Sequence, residues 1–452
     1  MMDAYLNSDA ASRKDMMDMY CPPLPEEETE AEQKTNGDID AVLQRKQEET
    51  LERLDWLEFD WNQYACQEPS IKTSMPLETA RRVMRIIDAN AHNYAIQTTG
   101  GIVDTPQNDQ SALFALGSKV EHSCAPNLNY ATEHGKLQYT AIRPIANGER
   151  ISISYDTPKF SHPRKQRREF LQMSKEFTCR CRRCRGPDEC SPYQFSCPTC
   201  SSSSIAFSNE SGDEYFCISC QFTLPSSNSG IREQKELENS LSQQLETEQS
   251  NMQAGVFDKK MISRMVALLN TMTQQLHPLH WLLPQGCDLM SSMATSVARL
   301  DMKGGQSPTS PMVRTLLYLS TLSWLNQACW WQRMGAVAYQ DMELKDAVRD
   351  SKTPAPLLLT ENPTLHTVET MAEQVCENLS TNSFVNMAHP IYHAGQDWLL
   401  AGHAPQVARL YQAFMPIFQQ WNKLGDETRD NIAVLVQTEG ATNEFPNHLL
   451  LS

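Results

Sequence analysis

The chain has 452 residues, enough for about two to four domains of ordinary size and for a substantial buried core. Its 55 Asp and Glu exceed its 39 Lys and Arg, a formal net charge of −16 that argues against a general nucleic-acid binder, because duplex binding rests on cations that neutralise phosphates. No apolar run approaches the ~20 residues that span a bilayer, and MMDAYLNSDAASRKDMM lacks the order of a signal peptide, so the sequence predicts no membrane association and an intracellular protein, cytoplasmic and/or nuclear.

Residues 1–60 carry 17 acidic against 6 basic residues and form an acidic N-terminal segment, predicted disordered over 22–38. Short helices are expected at 9–20 and 40–58, the second because Leu51, Leu54 and Leu57 share one face. From Pro76 to Ile87, Leu77, Ala80, Val83, Met84 and Ile87 recur at helical spacing. Between 125 and 155 the texture becomes β-like, with LNYAT, KLQYTAI and RISISY separated by Gly135 and the turn pair Asn147-Gly148. From Lys159 to Arg185, ten basic residues face only Glu169 and Glu176; a nucleic-acid surface is one reading, and the one preferred is a solvated helix face at 163–175 with electrostatic support for nearby thiolates.

Eight of the fourteen cysteines lie between Cys179 and Cys220. Cys197-x2-Cys200 and Cys217-x2-Cys220 have the spacing of two knuckles that present four thiolates to Zn²⁺. Cys179, Cys181 and Cys184 supply three more donors and need a fourth, for which Cys190 and Cys124 are the candidates. After the serine-rich SSNSG at 226–230, read as a linker, Leu/Met/Gln/Ala-rich segments predict helices at 233–248, 257–276, 285–300, 311–347, 364–380, 389–402 and 404–424. Trp281, Trp324, Trp330, Trp331 and Trp398 read as core, and His277, His280, His389 and His393, though at helical spacing, are not read as metal ligands because the His-Pro pairs fall at helix starts.

ALGSKVEHSCAPNLNY, IRPIANGERISISYD and RREFLQMSKEFTCRCRRC together resemble the second half of a SET domain and its post-SET cysteine motif, of the SMYD type and of related fungal SET proteins. The resemblance covers about residues 76–184. It implies an α+β fold: a β-rich core with a pseudoknot in a partial SET domain (61–156), a zinc-bound post-SET and knuckle region (157–225), and an all-α, TPR-like domain (232–452). It also implies transfer of methyl from S-adenosylmethionine to a lysine of a protein substrate, a basic one given the acidic chain, and two zinc ions. By motif position Tyr155 would orient the lysine amine, Phe177 would close its channel, and His122 with Glu121, which stands where the family has Asn, would hold the cofactor. Asn90 or Asn93 would contact the cofactor, and Cys124 would complete the post-SET zinc site with Cys179, Cys181 and Cys184, leaving Cys197, Cys200, Cys217 and Cys220 to the second. The family's glycine-rich opening strand has no counterpart before residue 76, where Gly37 is the sole glycine. That implies either a missing N-terminal portion or half a cofactor site, and the alternative function is a non-catalytic zinc-bound scaffold for protein interactions.

Overall fold

The computed structural model describes residues 8–19, 21, 37–67, 69–94, 110–133, 136–155, 160–175, 177–200, 203–255, 259–338, 357–377, 385–418 and 432–436. The acidic stretch predicted to be disordered lies, up to residue 36, outside them. The chain divides into two compact units, the first formed by Met1–Gln97, Asp104–Phe160 and Arg164–Cys181, the second by Thr98–Val103, Ser161–Pro163 and Arg182–Ser452.

The first unit opens with helices α1 (Ala10–Met17), α2 (Gly37–Gln67), the one-turn α3 (Ile71–Ser74) and α4 (Leu77–Asn90). The expected helix over 40–58 runs on to Gln67, because Trp61 and Ala65 continue the stripe of Leu54 and Leu57 and bury it with Ile71, Met75, Ala80, Val83 and Met84. The indole Nε1 of Trp61 donates to the Met75 carbonyl at 3.0 Å, which closes this small core.

Three two-stranded sheets follow: β1 (His92–Tyr94) with β2 (Gln110–Ala112), the hairpin β4 (Leu128–Glu133) with β5 (Lys136–Ala141), and β3 (Glu121–His122) with β6 (Ser152–Ile153). The first two pairs are antiparallel and β3–β6 is parallel, Glu121 opposite Ser152 and His122 opposite Ile153. A parallel pair brings together strands thirty residues apart that run in one direction, as the predicted pseudoknot requires. Gly148 sits at φ +81°, as the Asn-Gly signal anticipated, and Glu149 N–H closes the turn on the Ala146 carbonyl at 3.0 Å. Helix α5 (Arg164–Lys175) completes the unit and packs on α2.

The basic stretch corrects the sequence reading: on α5 the inward face is formed by Arg164, Arg167 and Leu171, and Arg183 on the one-turn α6 (Arg182–Arg185) is buried too. Inside, Arg183 forms an ion pair with buried Glu189 and a guanidinium contact to Cys190 Sγ at 3.2 Å.

The second unit begins with a four-stranded antiparallel ribbon, order β10-β9-β8-β7, from Tyr193–Ser196 (β7), Ser203–Ser208 (β8), Glu214–Cys217 (β9) and Thr223–Pro225 (β10). Tyr193 and Tyr215 stack at 5.4 Å and share a core with Ala206, Leu224 and Ile231. The stretch read as a linker at 226–230 is instead the start of α7 (Ser229–Gln253): Asn228 caps it by accepting from the N–H groups of Gly230 and Ile231. Helices α8 (Lys259–Gln275), α9 (Leu282–Lys303), α10 (Pro311–Ala338), α11 (Leu365–Glu377), α12 (Ala388–Leu400) and α13 (Ala404–Phe418) follow: α8 packs on α9, α9 on α10, α10 on both α11 and α12, and α13 on α11 and α12. Gly395 on α12 admits the Tyr411 ring of α13 so closely that a Cβ there would lie 2.2 Å from it. Trp281, Trp324, Trp330 and Trp398 are core residues, as expected, and Trp331 is half-buried. His277 and His280 are buried in the turn before α9, where their Nδ1 atoms accept from Leu279 and Leu282 N–H.

Candidate functional site

In the first unit the chain around Glu121-His122-Ser123-Cys124 and the chain ending at Tyr155 meet. Ser123 N–H extends the β3–β6 ladder by donating to the Ile153 carbonyl at 2.9 Å. Two residues on, the Tyr155 N–H donates to His122 Nδ1 at 3.0 Å. An accepting Nδ1 leaves the proton on Nε2, and Nε2 lies 3.2 Å from Cys124 Sγ. The imidazole therefore links the β6 end to the sulfur and fixes both.

The phenol of Tyr155 donates to the Val120 carbonyl at 2.5 Å, and its pKa is raised, first by burial and then by the Glu121 carboxylate and Tyr130. Its ring meets His122 at 5.3 Å and Phe177 at 6.3 Å, edge to face at 88°, while His122 and Phe177 are 5.8 Å apart. Three residues from separate segments thus form one aromatic cluster. Lys175 Nζ lies 5.9 Å from the Tyr155 ring centroid and donates to the Ala89 carbonyl at 2.9 Å. Behind Tyr155, Tyr139 donates to the Gly117 carbonyl and has a pKa pushed up to about 12 by burial.

Glu121 faces solvent and pairs with the still more exposed Arg150 at 3.1 Å. Asn90, at the end of α4, is buried and spends its amide N–H on the Ile86 carbonyl at 2.8 Å; Asn93 lies on β1 opposite Ser111.

One residue without an assigned role in the sequence reading holds the site together. Asn127 is 1% exposed; its Nδ2 donates to the Arg150 carbonyl at 2.8 Å and to Glu149 at 3.1 Å, and its Oδ1 accepts from Ser152 N–H at 2.8 Å. It ties the loop after Cys124 to the start of β6, and its place in the quoted HSCAPN motif was the available signal. Glu149, also bonded to Arg143 and Ala146 N–H, has a pKa lowered to about 2, chiefly by the Arg143 hydrogen bond.

Two sets of cysteines converge. Sγ of Cys124 stands 3.8 Å from Sγ of Cys179, whose sulfur also accepts from Cys181 N–H at 3.5 Å. With Cys184, the four sulfurs all lie within 4.8 Å of one another. In the ribbon, Cys197 is 3.6 Å from Cys220 and Cys200 is 3.9 Å from Cys217, again four sulfurs within 4.8 Å. Both are closed, all-thiolate donor sets of the kind that suits structural Zn²⁺, so the residues fit the metal. Cys190 belongs to neither: its sulfur contacts Arg183 and Glu189.

Comparison with known proteins points to the same domain. The SET domain model matches residues 9–156. The chain is 37% identical over 82 residues to Histone-lysine N-methyltransferase SET5 of Meyerozyma guilliermondii, a match covering 17% of each chain. It is 36% identical over 83 residues to the SET domain-containing protein SmydA-8, isoform B, of Drosophila melanogaster, 18% of each chain. It is 36% identical over 77 residues to Protein-lysine N-trimethyltransferase SMYD5 of Danio rerio, covering 16% of this chain and 19% of that one. The chain thus carries a SET domain and resembles SMYD-type and fungal SET proteins, while the matched stretch spans under a fifth of each of these three relatives.

Proposed function

We propose that this protein transfers a methyl group from S-adenosylmethionine to a lysine of a protein substrate, at a site built from Tyr155, Phe177 and His122 and braced by a zinc ion on Cys124, Cys179, Cys181 and Cys184. Support comes at the family level from the SET domain match and from two relatives named as lysine methyltransferases. The observation that carries the reading is the aromatic cluster itself: the end of β6, the β3 turn and the segment before the post-SET cysteines bring three rings within 6.3 Å of one another beside a four-sulfur cluster.

Bound there, the cofactor would supply an electrophilic methyl group on sulfur. The protein's part is to deliver a neutral amine in a fixed direction. Aromatic walls exclude water and disfavour the ammonium form of an entering lysine, lowering its pKa. The phenol of Tyr155 stays protonated because burial raises its pKa, and the hydrogen bond to Val120 holds its oxygen in one place. Exposed Glu121 adds a negative charge beside a site meant for a cationic cofactor. We assign the ribbon cysteines a structural role, organising the start of a helical domain that resembles TPR arrays. The acidic chain suits basic protein substrates, and none of the described helices is long and apolar enough to cross a membrane.

One observation favours the non-catalytic scaffold as the second reading: both ring nitrogens of His122 and the amide N–H of Asn90 are engaged inside the protein. Isothermal titration of the zinc-loaded protein with S-adenosylmethionine separates the two. Saturable heat, with label from the methyl group transferred to a basic protein and lowered roughly a hundredfold or more in Tyr155→Phe, is expected; no heat up to millimolar cofactor would leave the scaffold.

A further inference from the structure

Two asparagines in the second unit make the same contact with one stretch of backbone. Asn270 on α8 accepts from the Leu359 N–H at 2.8 Å and donates to the Leu359 carbonyl at 2.7 Å. Asn326 on α10 accepts from the Leu357 N–H at 2.8 Å and donates to the Leu357 carbonyl at 3.2 Å. Each carboxamide thus satisfies both main-chain groups of one residue and leaves the side chain of that residue unread.

The two clamped residues are separated by one, the period of an extended chain, and the side chains alternate accordingly: Leu359 is buried, Leu357 half-buried, and Leu358 is 45% exposed. Leu357 and Leu359 border a pocket lined by Leu269, Leu283, Cys287 and Trp330 from the three consecutive helices α8, α9 and α10. Main-chain clamps at alternate residues, with an apolar pocket for the side chains of the clamped residues and the residue between them turned to solvent, meet the physical requirements for binding an extended peptide of loosely specified sequence. The segment itself, TPAPLLLTENP, is bracketed by prolines that disfavour helix in the residues before them and lower the entropy lost on binding in an extended form.

We propose that the face formed by α8, α9 and α10 is a binding groove for an extended, proline-flanked peptide of a partner protein carrying leucines two residues apart, and that residues 357–359 occupy it as an internal ligand which such a peptide displaces. The groove is independent of the methyl-transfer reading, since it uses none of the residues of that site. Asn270 and Asn326 read the backbone of the peptide, and the pocket beneath them reads its leucines.

The test uses the full zinc-loaded chain and a fluorescein-labelled peptide of sequence TPAPLLLTENP, followed by anisotropy. Leu357→Gly with Leu359→Gly empties the groove, so this variant is expected to bind the peptide saturably, the wild type roughly tenfold or more weakly because its own segment competes. Adding Asn270→Ala and Asn326→Ala should abolish binding, as should aspartate for both anchoring leucines of the peptide. Absence of saturable binding to a double-glycine variant with native circular dichroism overturns the proposal, as does binding indifferent to the asparagines. If that variant does not fold, hydrogen exchange of the wild type decides: amides of Leu357 and Leu359 that open well before the α8 and α10 core support an exchangeable ligand, and amides that exchange only with global unfolding make the segment a fixed loop.

Discussion

The two cysteine clusters reach one donor set by opposite routes. Cys197, Cys200, Cys217 and Cys220 come from a single stretch of 24 residues, at the ends of neighbouring ribbon strands, so the hairpins alone bring the sulfurs together. Cys124 is 55 positions from Cys179 and sits in the turn that also carries His122. The first cluster can organise local structure; the second is a tertiary tie that stands in direct contact with the aromatic site. Closing the longer loop costs more chain entropy, so the distant cluster depends on the metal more heavily while the site depends on the cluster.

The predictions are ways to separate these two roles. The largest effect is expected for Cys124→Ser. Structural zinc sites bind with free energies of about 10–16 kcal/mol, comparable to the total stability of a domain, so losing this ligand should abolish the cooperative transition of the first unit while the ribbon and its helices still melt. Cys217→Ser should do the reverse, leaving the near-ultraviolet dichroism of the Tyr155 region in place. Asn127→Ala comes next: it strands the Ser152 N–H and Arg150 carbonyl and should lower stability by about 2–4 kcal/mol, read as a shift in urea midpoint.

A third prediction concerns the helical half. Asp397, accepting from Ser320 at 2.5 Å and Thr295 at 3.2 Å, has its pKa raised by burial from 3.8 to about 6, with those hydroxyls, Arg299 and Trp324 opposing. The folded protein then holds this proton more tightly than the unfolded chain. Its contribution is complete below about pH 4 and is lost as pH rises through 6, up to about 3 kcal/mol. Asp397→Asn, which stays neutral, should flatten the fall in urea midpoint between pH 4.5 and 7. The smallest effect on stability, about 1 kcal/mol, is expected for Tyr155→Phe, which deletes one hydrogen bond to Val120, and a urea titration checks it.

Much of this was legible because the chemistry is local in sequence. The CxxC pairs, the Asn147-Gly148 turn and the helix starting at residue 77 announce themselves through spacing and backbone preference. The convergence of Cys124 with Cys179 came only through family resemblance, since no spacing rule spans 55 positions. Other features were hidden for physical reasons. Arg164 and Arg167 read as solvated because charge usually is, yet they form the inward face of α5. SSNSG reads as flexible by composition, but a capping asparagine is also what begins a helix. Asn270 and Asn326 look unremarkable within VALLNTM and SWLNQACWW, although a polar residue on an apolar helix face signals a partner to be found.

Zinc content of purified single-site variants tests the central arrangement most directly. The account predicts two ions per chain in the wild type and in Cys190→Ser, and one in Cys124→Ser, with the remaining ion removed only when a ribbon cysteine is also replaced. Two ions retained in Cys124→Ser, or one lost in Cys190→Ser, would contradict it and detach the metal from the aromatic site.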